Sequence, residues 1–190
     1  MLKQLLIIAF LVCLFNANGQ RLKDSCYLQL KQFTSLQQAL KNPLAVEYLN
    51  LSKQKLTSLP SEIFAFSNLR VLWLPKNAIY NVSDSISVLT KLEVLHLGSN
   101  AFQTFPVAVL QLSSLKQLYL CDNEIVDIPK DIDRLQNLEK LIIWDNPIRT
   151  LPKTIQNLKK LNVLDIRLTF IQNQDEMLHI EKILPTAKIH

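Results

Sequence analysis

Glycine is almost missing from this chain, which has only Gly19 and Gly98 among its 190 residues. So little glycine argues against a linker-rich or disordered protein. Neither GxxxxGK[ST] nor GxGxxG occurs, and these are the glycine-rich patterns that cradle phosphates. We therefore expect an ordered domain without a nucleotide cofactor.

Histidine and cysteine are also sparse, and their spacing does not fit a metal site. The three histidines, His96, His179 and His190, lie far apart, and no HxH, CxxC or HExxH pattern occurs. A zinc ion therefore has no recognisable ligand set. Ser, Asp and His are present, but no spacing predicts that they converge as a catalytic triad. The sequence predicts no metal, no cofactor and no enzymatic activity.

The net charge of +5 does not describe a basic surface along the whole chain. Beyond the first residues the excess lies between positions 20 and 60, and from residue 61 onward 14 basic side chains balance 14 acidic ones. We therefore expect scattered, solvated charges and no nucleic-acid partner. Nucleic acid or an acidic polysaccharide at the N-terminal end is the less favoured alternative. Calcium at Asp122, Glu124 and Asp145 is a similar alternative to separate solvated charges.

Residues 1–19 have the pattern of a secretory signal peptide. Lys3 precedes an uncharged apolar run over residues 5–15, and Ala17-Asn18-Gly19 predicts cleavage before Gln20. The run is shorter than the ~20 residues of a comfortable membrane span, and no later segment is apolar enough to form one. Export to the periplasm, the cell surface or the medium is the prediction, and a retained N-terminal anchor is the second choice.

A 23-residue repeat without insertions dominates the rest of the chain. Each unit has the pattern LxxLxLxxNxL, followed by LPxxIxxL, with Val82-Ser83 as the departure in the second unit. One unit cannot bury its apolar side alone, so neighbouring units must stack. The six units begin at Val46, Leu69, Leu92, Leu115, Leu138 and Leu161.

This pattern resembles the leucine-rich repeat family, most closely its 23-residue LPxxI class of exported bacterial proteins. The resemblance covers residues 46–171 and implies an α/β fold: a leucine-rich repeat solenoid, coiled right-handedly, with a concave parallel β-sheet. It implies five full units and a partial sixth over 46–171. We expect an N-terminal helical cap over 20–45 and a C-terminal helical cap over 172–190.

Local patterns place the elements of each unit. Apolar residues at positions four and six predict a short strand with one buried face, and the proline-containing half predicts a turn or short helix on the outer side. Thr34 or Ser35 can cap a helix that ends near Asn42-Pro43, and residues 175–184 predict an amphipathic helix. A structural ladder of side-chain amides is expected at position nine, from Asn77, Asn100, Asn123 and Asn146.

The repeat also predicts which cysteines can pair. After cleavage of the leader, Cys26 and Cys121 remain, and an even number in an exported protein suggests a disulfide. Cys26 precedes the first unit and Cys121 lies in the fourth, so their Cα atoms should be farther apart than the ~7 Å limit for a bridge. We expect two unpaired thiols.

Positions three, five, seven and eight of each unit should point out of the concave face. Position five carries Trp73, His96, Tyr119 and Ile142, and position seven adds Trp144. These five residues are called the aromatic band, which should be about 15 Å across at ~4.8 Å per strand. Solvent-facing strand positions are usually polar, and exposed tryptophan and tyrosine suit a binding hot spot.

We therefore predict a monomeric, non-enzymatic scaffold that binds a protein or peptide on its concave face. One alternative is a glycan or cell-wall polymer stacked on the aromatics, with adhesion or host contact suggested by the resemblance. A second is that the aromatics only stabilise the sheet. The predicted partner-binding residues are Tyr48, Val71, Trp73, His96, Gln117, Tyr119, Lys140, Ile142, Trp144, Asp145, Asp165 and Arg167.

Overall fold

A computed structural model describes Tyr27, residues 29–171 and residues 174–190. The chain divides into two compact units, residues 1–31 and Gln32–His190. The predicted signal peptide, its cleavage site and Cys26 lie outside the described residues, so the leader and the unpaired thiols stay predictions.

Eight short parallel strands form one sheet in chain order. From β2 to β7, partners in adjacent strands are 23 residues apart, so that Leu49 pairs with Leu72 and Leu72 with Leu95. The predicted parallel sheet and its repeat register are thus confirmed. The strands are β1 (Gln32–Phe33), β2 (Tyr48–Asn50), β3 (Val71–Trp73), β4 (Val94–His96), β5 (Gln117–Tyr119), β6 (Lys140–Ile142), β7 (Val163–Asp165) and β8 (Lys188–Ile189).

The second half of each full unit returns through a 3-10 helix. Proline has no backbone donor and stands at the N-cap of four of these helices, which begin directly after it. In the second unit Ser83 takes its place, and the Ser83 hydroxyl accepts a hydrogen bond from the Ser85 N–H at 3.2 Å. The departure from the repeat pattern therefore leaves the turn intact. The five helices are Ser61–Ala65, Asp84–Val88, Val107–Gln111, Lys130–Arg134 and Lys153–Asn157.

The core lies between the sheet and these helices. Positions one, four and six of the repeat are buried in all six units, as predicted for positions four and six, and Phe66 and Phe102 are the largest side chains fully enclosed. Burying one such side chain contributes about 1.5–3 kcal/mol. The opposite side of the sheet, which carries positions three and five, is called the inner face.

The asparagines at position nine join each unit to the one before it. The Asn123 amide donates to the carbonyls of Leu97 (3.1 Å) and Leu120 (2.9 Å) and accepts from the Phe102 N–H (3.1 Å). Asn77, Asn100 and Asn146 repeat this arrangement. Carbonyls that turn inward after the strands are thereby satisfied.

Two α-helices stand at the ends of the repeats. Helix α1 (Leu36–Ala39) is short, and its N-cap Ser35 accepts from the Gln38 N–H at 3.4 Å. Helix α2 (Gln174–Ile183) and the following turn bury Ile180 and Leu184. None of the helices among the described residues is long and apolar enough to cross a membrane.

Candidate functional site

The register of the sheet places Trp73, His96 and Tyr119 side by side on strands β3, β4 and β5. The Trp73 and His96 ring centroids are 4.2 Å apart, and the His96 and Tyr119 rings are stacked at 4.9 Å with an interplanar angle of 6°. Ile142 continues the row on β6, next to Tyr119. The inner face therefore carries a continuous row of packed rings.

The aromatic band is more deeply buried than its sequence position suggested. His96, Tyr119 and Trp144 are only 2%, 4% and 5% exposed, whereas Trp73 and Ile142 are half-buried. The expectation that all five side chains face solvent is therefore wrong for three of them. Adjacent strands lie only about 4.8 Å apart, so a ring on one strand covers the face of the ring on the next.

The other predicted contact residues divide in the same way. Val71, Gln117 and Asp165 are buried, and the Tyr119 hydroxyl donates to the Gln117 side chain at 2.8 Å. The accessible residues form a rim around this buried floor: Asp145 is exposed, and Tyr48, Lys140 and Arg167 are half-buried. Burial raises the pKa of the Tyr48 hydroxyl above its ordinary value.

His96 also holds the backbone that follows its strand. Its Nδ1 accepts a hydrogen bond from the Gly98 N–H at 3.1 Å, so the proton of the neutral ring is on Nε2. Burial lowers the pKa of His96 to about 3, and the ring is therefore neutral at pH 7. It can donate to a neutral acceptor but offers no positive charge.

Gly98 is the smallest residue of the inner face, and its neighbours require it to be small. A Cβ atom there would lie 2.7 Å from the Cys121 sulfur and 2.8 Å from Cε1 of His96. The repeat pattern assigns this glycine no role. Gly98 stands at position seven of its unit, as Cys121 does in the next unit, and this alignment could have indicated that the two residues are neighbours.

Trp144 has an unsatisfied polar atom. Its indole Nε1 is buried and has no hydrogen-bond partner among the described residues. Buried donors without an acceptor are rare, because the lost hydrogen bond to water is not replaced. Trp144 lies directly before the exposed Asp145.

Position eight of each unit adopts a left-handed backbone that the sequence analysis did not foresee. The six residues at this position have φ between 54° and 60°: Lys53, Lys76, Ser99, Asp122, Asp145 and Leu168. Aspartate tolerates this region, whereas lysine is less common there. The first five of these residues are called the charged ridge, and it borders the aromatic band.

Charges also line the start of the strands, at position two of the units. Glu93 joins Arg70 (2.8 Å) and Lys116 (2.6 Å), and Arg70 also reaches Glu47 at 3.6 Å. An open groove beside this chain of charges is lined by Arg70, Lys91, Glu93, Ser114, Lys116 and Asn137. The alternating signs link successive units, and the sequence analysis did not single them out.

Metal binding gains no support within the part of the chain that the structure describes. No three His, Cys, Asp or Glu side chains come together there as potential ligands, Asp122, Glu124 and Asp145 included. Burial, and after it the negative charge of Asp122, raises the pKa of Asp145.

A comparison with protein-family models decides the family. The leucine-rich repeat model matches residues 45–102, 67–125 and 90–148, which together exceed half of the chain. This chain belongs to the leucine-rich repeat family. None of the curated proteins compared with it matches.

Three solved structures similar to this leucine-rich repeat protein come from two bacteria and a plant. A leucine-rich repeat protein of Leptospira interrogans is 29% identical, with a TM-score of 0.65 over 84% of this chain and 46% of that one. An internalin of Listeria monocytogenes is 20% identical, with a TM-score of 0.61 over 76% of this chain and 41% of that one.

The third is the ectodomain of a membrane receptor kinase of Arabidopsis thaliana, solved in complex with Casparian strip integrity factor 2. It is 23% identical, with a TM-score of 0.58 over 69% of this chain and 16% of that one. The chain thus spans less than half the length of each of these structures, and the two more distant ones show the fold alone.

Proposed function

We propose that this leucine-rich repeat protein is a non-enzymatic scaffold that binds a protein or peptide partner across its inner face. The observation that carries the proposal is the row of packed rings from Trp73 to Tyr119, which continues into Ile142 and is bordered by charged side chains. A plant ectodomain of the same fold is solved with a bound partner, which supports a binding role by analogy.

The burial of the band changes how binding would work. The rings of His96 and Tyr119 are already held by their neighbours, so little side-chain freedom is left to lose when a partner arrives. Trp73 and Ile142 are the accessible apolar residues and would make the central contacts. The unsatisfied Nε1 of Trp144 would gain an acceptor if a partner carbonyl approached after a small movement of the indole.

Site-specific photo-cross-linking tests this function against a purely structural role for the aromatics. The mature protein carries the cross-linking residue in place of either Ile142 on the inner face or Tyr80, which is 66% exposed and lies outside the strands of the sheet. Both are incubated with extracellular and envelope material from the source organism. We expect one protein to be cross-linked from position 142 and not from position 80.

A second variant shows whether the contact depends on the band. Trp73→Ala should abolish cross-linking from position 142, whereas the control Tyr80→Ala should leave it unchanged, with both variants melting within a few degrees of the parent. Equal or absent cross-linking from the two positions contradicts the proposal. Loss of folding in Trp73→Ala would favour the structural role, and competition by polysaccharide would favour a glycan.

Export of this scaffold is a related proposal, supported by the pattern of residues 1–19. N-terminal sequencing of the protein recovered from outside the cytoplasm should begin at Gln20. An N-terminus at Met1 would contradict cleavage and favour the retained anchor.

A further inference from the structure

The charged ridge has opposite charges at its two ends. Along the sheet it runs Lys53, Lys76, Ser99, Asp122 and Asp145, so that two lysines and two aspartates flank a neutral serine. The sixth unit carries the exposed Leu168 at the same position. No pattern of the repeat requires this order, because position eight is not one of its apolar or asparagine positions. The order is a property of this chain rather than of its fold.

The backbone holds the ridge in register with the strands. The N–H groups of Lys53, Lys76 and Ser99 donate to carbonyls of Pro75, Gly98 and Cys121 in the next unit, at 3.1, 3.1 and 2.8 Å. Asp122 and Asp145 donate in the same way to Trp144 and Arg167. These hydrogen bonds and the shared left-handed φ give all five residues the same backbone geometry. Their side chains therefore leave the backbone along one line beside the aromatic band.

Three charged residues of the ridge are exposed to solvent. Lys53, Asp122 and Asp145 are exposed, and Lys76 and Ser99 are half-buried. Asp122 and Asp145 make no salt bridge with any described residue. Burial, and after it the negative charge of Asp122, raises the pKa of Asp145. A positive group from outside the chain would offset the effect of Asp122 on Asp145.

We propose that the charged ridge binds an extended partner segment of mixed charge, with its acidic part over Lys53 and Lys76 and its basic part over Asp122 and Asp145. This inference rests on the proposed function and specifies the chemistry and orientation of the bound segment. The ridge would orient the partner while the aromatic band supplies the contact area, since complementary charges contribute more to specificity than to affinity.

The size of the ridge favours a segment over a second copy of this chain. Four strand spacings span about 19 Å, which matches about six residues of extended chain. The ridge is also self-complementary about Ser99, so a two-fold dimer could pair Lys53 with Asp145 of the other copy. Five residues on a line fall far short of the ~800 Å² per partner that a specific interface needs, so the dimer is treated as an outcome of the test.

The test uses two synthetic peptides of identical composition as probes. In the first, the block peptide, three glutamates are followed by two serines and then by three lysines. In the second, glutamates and lysines alternate. Binding is followed by NMR titration of the mature protein at low ionic strength. We expect the block peptide to bind about five-fold more tightly, as a few exposed ion pairs would produce, and added salt to remove the difference.

Charge swapping gives a matched control, because lysine and aspartate already occupy the same backbone conformation in this column. Lys53→Asp and Lys76→Asp, combined with Asp122→Lys and Asp145→Lys, keep the composition and reverse the ridge. A nitroxide on the acidic end of the block peptide should broaden the amide signals of residues 53 and 76 in the parent. In the swapped variant it should broaden those of residues 122 and 145.

Equal binding of the two peptides, or an orientation that does not reverse in the swapped variant, would overturn the ridge proposal. Sedimentation is run in parallel. A dimer that dissociates when only Lys53 and Lys76 are substituted would overturn the ridge proposal in favour of self-association. Cross-linking from position 142 that survives the swap with the same partner would mean that the ridge proposal failed while the binding function stood. Loss of any position-specific cross-linking in the parent would remove both.

Discussion

Nδ1 of His96 accepts a hydrogen bond from the Gly98 N–H at 3.1 Å, which ties a ring of the aromatic band to the chain leaving strand β4. The same link from position five to position seven recurs at both ends of the repeats. Asn50 accepts from the Ser52 N–H at 3.0 Å, and Asp165 accepts from the Arg167 N–H at 3.3 Å. Position five therefore shapes the backbone as well as the surface.

The burial of His96 predicts a pH dependence of stability. Its pKa is about 3 when folded, against 6.5 ordinarily, so between these values the unfolded chain binds a proton that the folded chain excludes. Stability should therefore be complete above pH 6.5 and fall as the pH drops towards 3, by up to about 1.4 kcal/mol per pH unit. Urea unfolding between pH 4 and pH 7 measures the slope.

His96→Asn is the matched control, because Asn50 shows that asparagine can make the same backbone link. The difference in unfolding free energy between the parent and this variant should depend on pH as described. Parallel pH profiles for the two proteins would show that His96 is not buried as a neutral ring.

Gly98→Ala should destabilise the protein by about 1–3 kcal/mol, as overpacking of a core does. The added methyl would meet the Cys121 sulfur at 2.7 Å and the His96 ring at 2.8 Å. Thermal and chemical denaturation measure the loss. Combining Gly98→Ala with Cys121→Ala should recover part of it, and strictly additive losses would argue against the close approach.

Asn146→Ala should cost about 2–4 kcal/mol, since it leaves several buried backbone groups without a partner. The Asn146 side chain is 3% exposed, accepts from the Ile125 N–H and donates to the carbonyls of Leu120 and Ile143. Asn137 also donates to a carbonyl but is reached by solvent, so Asn137→Ala should cost less than about 1 kcal/mol. Similar losses for both variants in urea unfolding would contradict the buried ladder.

Glu93→Gln should weaken the chain of charges at position two. It removes the ion pairs with Arg70 (2.8 Å) and Lys116 (2.6 Å) while keeping the shape of the side chain. We expect a loss of about 0.5–2 kcal/mol at low ionic strength that shrinks in 0.5 M salt, given that partly exposed pairs are screened. Glu139→Gln, at the same repeat position without a salt bridge among the described residues, should have a smaller effect.

Much of the fold could be predicted because the repeat states it many times. Leu49, Leu72 and Leu95 fall 23 residues apart, and a strand of three residues needs only that spacing to find its register. The prediction for the site was weaker. It placed Trp73, His96 and Tyr119 on one face and kept cross-strand packing as an alternative, but it overestimated the exposure of His96 and Tyr119.

The repeat period of the sequence by itself determined the family, the order of the strands and the columns in which side chains align, because stacking identical units allows one register. The tertiary structure decided which of those side chains remain accessible. Rings on strands about 4.8 Å apart cover one another, and the missing side chain of Gly98 leaves room for the Cys121 sulfur and the His96 ring. It also decided that Lys53 and Asp145 share one left-handed conformation, because that geometry is imposed by hydrogen bonds between units rather than by the residues' own preferences.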